Sequence, residues 1–313
     1  MPVDKDTFRG IYVIVVTPFT AALDVDEAAL RATLRFCFDA DVHGVVATAN
    51  ASEVGYLSEA ECRRSAEIVV AEASTNNTPS IVGVSSASWK LSVELARHAA
   101  AIGAGAVMAM PPTFHPASAA EIKTFYRKLA EATDLPVVLQ SGVGPGATPM
   151  SPALMAELIA ELPTVRFIKE ETQYPAQTIG EVAKLAGTRL HGVMGGMAGR
   201  TLMEEFRHGV CGTMPACEFA DIHVALWRAL AEGRMPDARD IFRRLLPLLD
   251  FERAYGMPLA KEVLKMRGVI PEAAWRQTGC RPLDAHARAE IRALLDAAAG
   301  LMLPRYRHTP APV

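Results

Sequence analysis

The stretch Val165-Arg166-Phe167-Ile168-Lys169-Glu170-Glu171-Thr172 joins a short apolar run to an abrupt series of charged residues. Such a run predicts a buried β-strand, with Lys169 at the rim of a sheet and its aliphatic stem buried. Burial lowers the pKa of an ammonium group, and the neutral amine can then attack a ketone to form a Schiff base. The alternative is a surface lysine paired with Glu170 or Glu171, and the stretch alone leaves both interpretations open.

Seven similar runs surround this one, and amphipathic segments rich in Ala, Leu, Glu and Arg separate them. The eight predicted strands are residues 10–17, 44–48, 80–85, 106–110, 136–140, 165–169, 190–194 and 210–214. Regular alternation of strand and helix indicates an α/β fold with parallel strands and right-handed crossovers. The count of eight favours a closed (β/α)8 TIM barrel. An open doubly wound sheet is the alternative, but no G-x-G-x-x-G follows the first strand.

After the eighth strand the pattern changes to consecutive helices, predicted over residues 222–232, 236–253, 259–266 and 285–299. We therefore predict three parts of the chain. Residues 1–221 form the barrel and catalytic domain, and residues 222–300 form a C-terminal helical extension packed against it. Residues 301–313 end in a proline-rich segment and are expected to form a flexible tail.

Composition limits the classes of function. The chain has 313 residues, half of them apolar, a net charge of −3 and a pI of about 6.3, so nucleic acid and anionic membranes are not expected partners. Neither a membrane span nor a signal peptide is apparent, and we expect a cytoplasmic protein. The five scattered cysteines are interpreted as reduced thiols. The histidines form no ligand-spaced set, so we expect no metal and no cofactor.

In a barrel of this type the active site lies at the carboxyl ends of the strands. That rule selects residues 17–18, 50–53, 85–86, 111–115, 140–141, 169–171, 195–196 and 215–216. Lys169 is the only lysine among them, which favours the Schiff-base hypothesis. Of Glu170 and Glu171, we expect one to be a buried partner and the other a solvated charge.

Several motifs resemble those of the dihydrodipicolinate synthase / N-acetylneuraminate lyase family. They are Val16-Thr17-Pro18-Phe19, Ser52-Glu53 with Leu57-Ser58, Asp134-Leu135-Pro136, Ile168-Lys169-Glu170, and Gly209 to Gly212. The resemblance runs from about Phe8 to about Gly300. It implies a (β/α)8 barrel, a Schiff base between Lys169 and a 2-keto acid, and a homodimer or homotetramer.

The chain also departs from this family's pattern. Where the family has Gly-Thr-Thr-Gly-Glu, this chain has Ala49-Asn50-Ala51-Ser52-Glu53; Gln140 replaces a proton-relaying tyrosine, and Thr113 replaces a second tyrosine. The arginine that synthases of the family use falls within residues 144–146 and is missing. Because an amide cannot exchange a proton near neutral pH as a phenol can, these changes favour dehydration over aldol chemistry. The motifs look most like the branch that contains 2-keto-3-deoxy-L-arabonate dehydratase.

The resemblance and the strand ends together give a specific hypothesis. We predict a class I lyase acting on a 2-keto-3-deoxy sugar acid or a related 2-keto acid, with dehydration preferred. The alternatives are a pyruvate-dependent aldolase or synthase and a non-catalytic keto-acid binder. The predicted catalytic residues are Lys169, Gln140, Ser141 and His115, and the predicted substrate-binding residues are Asn50, Ala51, Ser52, Thr113, Gly195 and Met214.

Overall fold

The computed structural model describes residues 3–112, 116–142 and 147–307. Eight parallel strands, hydrogen-bonded in chain order, close into a barrel and confirm the predicted (β/α)8 fold. They are β1 (Gly10–Ile14), β2 (Gly44–Ala47), β3 (Ser80–Gly83), β4 (Ala106–Ala109), β5 (Val137–Gly142), β6 (Val165–Glu171), β7 (Gly192–Gly195) and β8 (Gly212–Thr213). Strands β5 and β6 extend two residues beyond their predicted ends, because Ser141 and Gly142 pair with Glu170 and Glu171.

Helices separate the strands as the sequence pattern predicts. They are α1 (Glu27–Asp39), α2 (Glu59–Thr75), α3 (Trp89–Ala101), α4 (Ala119–Ala130), α5 (Pro152–Glu161), α6 (Pro175–Ala186), α7 (Leu202–Glu205), α8 (Ala220–Ala231), α9 (Met235–Tyr255), α10 (Met257–Met266) and α11 (Ala285–Ala298). Ser58 begins α2 with a capping box, in which its hydroxyl accepts from the N–H of Glu61 and the Glu61 carboxylate accepts from the N–H of Ser58. In the described part of the chain, no helix has the length and apolar character that crossing a membrane requires.

Alternate strand residues face two separate apolar layers. The lumen of the barrel is filled by a cluster that includes Phe8, Val138 and Phe167, and the rings of Phe8 and Phe167 lie 4.3 Å apart. A second layer between the strands and the helices includes Ile168. Because Phe167 points inward and Ile168 outward, Lys169 and Glu171 face the lumen, whereas Glu170 faces the helices.

The C-terminal helices pack against the barrel and against one another. Helix α8 packs against β1, and α9, α10 and α11 follow it. Buried Arg267 pairs with Asp221 of α8 at 2.5 Å and donates to the carbonyl of Tyr306 at 3.0 Å. The division of the chain at residue 221 stays a prediction.

The segment expected to be a flexible tail is packed at its start. Tyr306 is buried, and its hydroxyl donates to the Asp39 carboxylate at 2.6 Å. The ring of Tyr306 lies 4.9 Å from that of Phe36, so this part of the segment packs against α1. Flexibility of the segment stays a prediction. Residues 308–313 lie outside the described part.

Candidate active site

Lys169 lies at the inward-facing end of β6, with only 2% of its side chain exposed. Its Nζ is 2.9 Å from Oε2 of Glu171, and the same oxygen accepts a hydrogen bond of 2.6 Å from Nε2 of Gln140 on β5. Lys169 and Gln140 are register partners on adjacent strands, which explains why their side chains meet. The three groups form a buried set consisting of an amine, a carboxylate and an amide.

Glu171 is ionised in this setting despite its limited exposure. Burial alone raises the pKa of the Glu171 carboxyl, but the Lys169 charge outweighs that effect, together with hydrogen bonds from Lys169, Gln140 and the N–H of Met197. The net result is a lowered pKa. Sequence reasoning missed Glu171 as a catalytic candidate, although residues two apart on a strand share a face and Lys169 was already identified.

The loop after β2 contains three of the predicted substrate-binding residues, Asn50, Ala51 and Ser52. Buried Ser52 donates its hydroxyl proton to the carbonyl of Val15 at 2.7 Å, and its own carbonyl accepts from the Thr17 hydroxyl at 2.8 Å. Asn50 is exposed at the surface of the loop. Within the described residues, the N–H groups of Asn50 and Ala51 have no hydrogen-bond acceptor, which leaves them available to an anionic ligand.

This loop also contains two residues in the left-handed region, Thr48 (φ 52°) and Glu53 (φ 55°). A β-branched residue rarely adopts that conformation, and Thr48 is held in it with its hydroxyl donating to the carbonyl of Gly83 at 2.8 Å. Strained backbone of this kind persists only where surrounding contacts fix it, and it is often found at functional sites. The loop is therefore fixed in shape before any ligand arrives.

The end of β7 provides room for Glu171. A Cβ placed on Gly196 would lie 2.3 Å from Cγ and Oε1 of Glu171, so only glycine fits there with the present carboxylate position. Gly195, predicted to bind substrate, faces the opposite way, because a Cβ there would lie 2.0 Å from Oε2 of Glu205. Met214 lies in the lumen cluster, as does Met194, the register partner of Lys169.

Ser141 lies on the outer face of β5, away from Gln140, where its hydroxyl accepts from the N–H of Met150 at 3.1 Å. Its register partner is Glu170, which is fully buried rather than solvated. Burial raises the pKa of the Glu170 carboxyl to about 7, and burial likewise raises that of Glu205 to about 7. These two carboxyls form a buried acidic layer behind the active site, and the structure does not bring Ser141 to Lys169.

The two remaining predicted residues, Thr113 and His115, lie outside the described residues. Across the ranges that the structure describes, no three His, Cys, Asp or Glu side chains are grouped so as to hold a metal ion. Lys169, Glu171 and Gln140 are the described polar side chains that meet at the inward-facing end of β6.

The chain thus has a closed (β/α)8 barrel with a buried lysine and carboxylate at the carboxyl ends of its strands. The chain belongs to the dihydrodipicolinate synthetase family, whose sequence model matches residues 7–298. Members of this family are lyases that act through a Schiff-base lysine.

Three known proteins illustrate the range of similarity. L-2-keto-3-deoxyarabonate dehydratase of Azospirillum brasilense is 30% identical over 292 residues, which cover 91% of this chain and 93% of that protein. 4-Hydroxy-tetrahydrodipicolinate synthase of Methanothrix thermoacetophila is 27% identical over 244 residues, covering 77% and 81%. The crystal structure of dihydrodipicolinate synthase from Rhodopseudomonas palustris superimposes with a TM-score of 0.86 at 26% identity, covering 95% of this chain and 99% of that one.

Proposed function

We propose that this protein is a Schiff-base dehydratase of 2-keto-3-deoxy sugar acids, with Lys169 as the nucleophile. The observation that carries the proposal is the contact of 2.9 Å between Lys169 Nζ and Glu171 Oε2. It places a group that can exchange protons beside the amine, in a site where Gln140 stands at the position of the family's tyrosine. The similarity to L-2-keto-3-deoxyarabonate dehydratase supports the same reaction class.

Covalent binding begins with proton transfer. Glu171 takes a proton from the Lys169 ammonium, and the neutral amine adds to the C2 ketone of the substrate. Loss of water from this adduct gives an iminium ion at C2. The free N–H groups of Asn50 and Ala51 bind the substrate carboxylate at the neighbouring loop, which orients the ketone toward Lys169.

Dehydration then follows from the electronics of the iminium. Its positive charge acidifies the C3 hydrogens, and Glu171 removes one of them to give an enamine. The enamine electron pair expels the C4 hydroxyl, which takes a proton from Glu171 and leaves as water. In 2-keto-3-deoxyarabonate, loss of protons from C5 and its hydroxyl and gain of protons at C3 and C4 then convert the unsaturated iminium into an iminium with an aldehyde at C5. Hydrolysis of this iminium releases 2-oxoglutarate semialdehyde and regenerates the amine. Gln140 holds the carboxylate in place through these steps but transfers no proton, since an amide is neither acid nor base near neutral pH.

Borohydride trapping tests the covalent step. The protein is incubated with pyruvate and sodium borohydride, and intact-mass and peptide mass spectrometry locate any reduced adduct. We expect one adduct, on Lys169, and none in Lys169→Met. Lys184→Met on the surface of α6 is the matched control and should be labelled like the wild type. Absence of an adduct on Lys169 in the wild type would refute the proposal and favour a non-catalytic keto-acid binder.

A substrate panel tests the reaction type. With 2-keto-3-deoxyarabonate, dehydration releases 2-oxoglutarate semialdehyde, whereas aldol cleavage releases pyruvate and an aldehyde. The similarity to 4-hydroxy-tetrahydrodipicolinate synthase makes a pyruvate-dependent aldolase or synthase the second candidate. Pyruvate as the only product would favour that candidate. Assembly into a homodimer or homotetramer stays a prediction, which light scattering can measure.

A further inference from the structure

A buried ion pair lies directly behind the loop that follows β2. The Glu53 carboxylate pairs through Oε1 with Nζ of Lys261 on α10, and neither side chain has any exposed surface. The other oxygen, Oε2, accepts hydrogen bonds of 2.7 Å from the N–H groups of both Arg276 and Gln277. Glu53 thus points away from Lys169 and into the C-terminal helices.

Aromatic contacts complete the enclosure of this pair. Lys261 Nζ lies 3.9 Å from the centre of the Phe19 ring, and the Arg276 guanidinium lies 4.4 Å from the same centre. Burial lowers the pKa of Lys261 to about 8, while the charge of Glu53 opposes that shift. An unpaired charge at such a site is strongly unfavourable, so each partner depends on the other.

Glu53 lies next to the loop that is proposed to bind the substrate carboxylate, so the ion pair with Lys261 affects the shape of that loop. Glu53 follows Ser52 directly and is itself in the left-handed region at φ 55°, so its backbone needs contacts that fix it. The N–H groups of Asn50 and Ala51 belong to the same short loop. A shift of the Glu53 side chain therefore shifts the amides that face the ligand.

We infer that Lys261 is a positioning residue for the substrate carboxylate, acting through Glu53 on the loop of Asn50 and Ala51. The inference rests on the proposed function, because it assigns that loop to the carboxylate of a 2-keto acid. Lys261 touches no substrate in this scheme. It fixes the angle of the loop, and the C-terminal helices become part of the binding site without contributing a ligand to it.

The test measures the pyruvate concentration that gives half-maximal borohydride trapping of Lys169. Lys261→Met and Glu53→Gln should each raise that concentration by about tenfold or more while trapping at saturating pyruvate stays near the wild-type level. The double variant should show less than the product of the two single effects, because both remove one interaction. Lys265→Met, on the exposed side of α10, is the matched control and should leave the concentration unchanged.

Thermal unfolding of each variant separates positioning from support of the fold. A lowered melting temperature with unchanged half-maximal pyruvate in the folded protein would overturn the inference. Should Lys261→Met fail to fold, Glu53→Gln decides alone, since it keeps the shape of the side chain and an oxygen for the two N–H groups. Absence of trapping in the wild type would instead refute the proposed function, so the two failures are distinguishable.

Discussion

The side-chain amide of Gln140 donates to Oε2 of Glu171 at 2.6 Å, the same oxygen that pairs with Lys169. Gln140 is thus an uncharged hydrogen-bond donor at the position where the sequence resemblance implies a tyrosine. Strands β5 and β6 thus place the amide of Gln140 and the carboxylate of Glu171 beside the amine of Lys169. In the proposed mechanism Glu171, at the end of β6, exchanges the protons, and the following predictions depend on that role.

Glu171→Gln removes the proton-exchanging group but keeps its size. We expect the dehydration rate to fall by about 10²–10⁴-fold, the range attributed to general acid–base catalysis. Pyruvate should still be trapped on Lys169 at long incubation times, since the amine remains. The dehydration rate is measured from the release of the carbonyl product. Glu181→Gln, on the exposed face of α6, is the control. Near-normal turnover in Glu171→Gln would assign the proton transfers to another group.

Gln140→Leu tests how the amide affects the carboxylate. The hydrogen bond from Gln140 lowers the pKa of Glu171, so its removal should raise that pKa. Activity that needs ionised Glu171 is present above this pKa and is lost as pH falls through it. The acid limb of the kcat/KM profile should therefore move to higher pH in Gln140→Leu. The exposed Gln177→Leu should leave the limb in place, and an unmoved limb in both variants would contradict the assignment.

Gly196→Ala tests the room reserved for Glu171. The added methyl group would overlap Cγ and Oε1 of Glu171 and displace the carboxylate from Lys169. We expect turnover to fall by about tenfold to a hundredfold, which is the cost of a displacement near 1 Å. Gly300→Ala is the control, because a Cβ there meets nothing within 4 Å. Circular dichroism should show that both variants are folded; full activity in Gly196→Ala would show that Glu171 need not occupy its present place.

Glu205→Gln tests the buried acidic layer by its effect on stability. Burial raises the pKa of Glu205 in the folded chain from its usual 4.5 to about 7. The native state then binds more protons than the unfolded state between these values. Stability from this group is fully present below pH 4.5, is lost as pH rises through 7, and amounts to roughly 3 kcal/mol.

Denaturant unfolding of Glu205→Gln at pH 5 and pH 8 measures that effect. The variant should lose less stability than the wild type between these two pH values, because glutamine does not ionise. Glu204→Gln changes the exposed neighbour on the same helix and should keep the wild-type difference. Equal pH dependence in Glu205→Gln and wild type would show that Glu205 does not titrate in this range.

The barrel itself was predictable because most of its strands lie in short apolar runs that alternate with amphipathic helices. Lys169 was predictable for the same reason, as the charged end of such a run. The ends of β5 and β6 were not, because Glu170 and Glu171 read locally as loop residues and are kept in the strand by pairing with Ser141 and Gly142. Tertiary pairing outweighs the low strand propensity of glutamate in this case.

The direction in which strand residues face explains why some predicted site residues lie away from Lys169. Ser141 was predicted to be catalytic and Gly195 to bind substrate, and both adjoin inward-facing residues in sequence. Because successive residues of a strand face opposite sides, both face the helices instead. The partners of Glu53, which are Lys261, Arg276 and Gln277, are more than 200 residues distant from it in the chain. No local pattern connects positions so far apart, so the sequence alone could not reveal this pair.

The tilted rings of Phe8 and Phe167 belong to the apolar cluster that fills the lumen of the barrel beneath Lys169. Within the described residues, this cluster closes one side of Lys169, and we expect a molecule bound to the amine to enter and leave at the carboxyl ends of the strands. The product must leave before the next substrate molecule can bind at the same site. Inhibition by product should consequently be competitive with substrate.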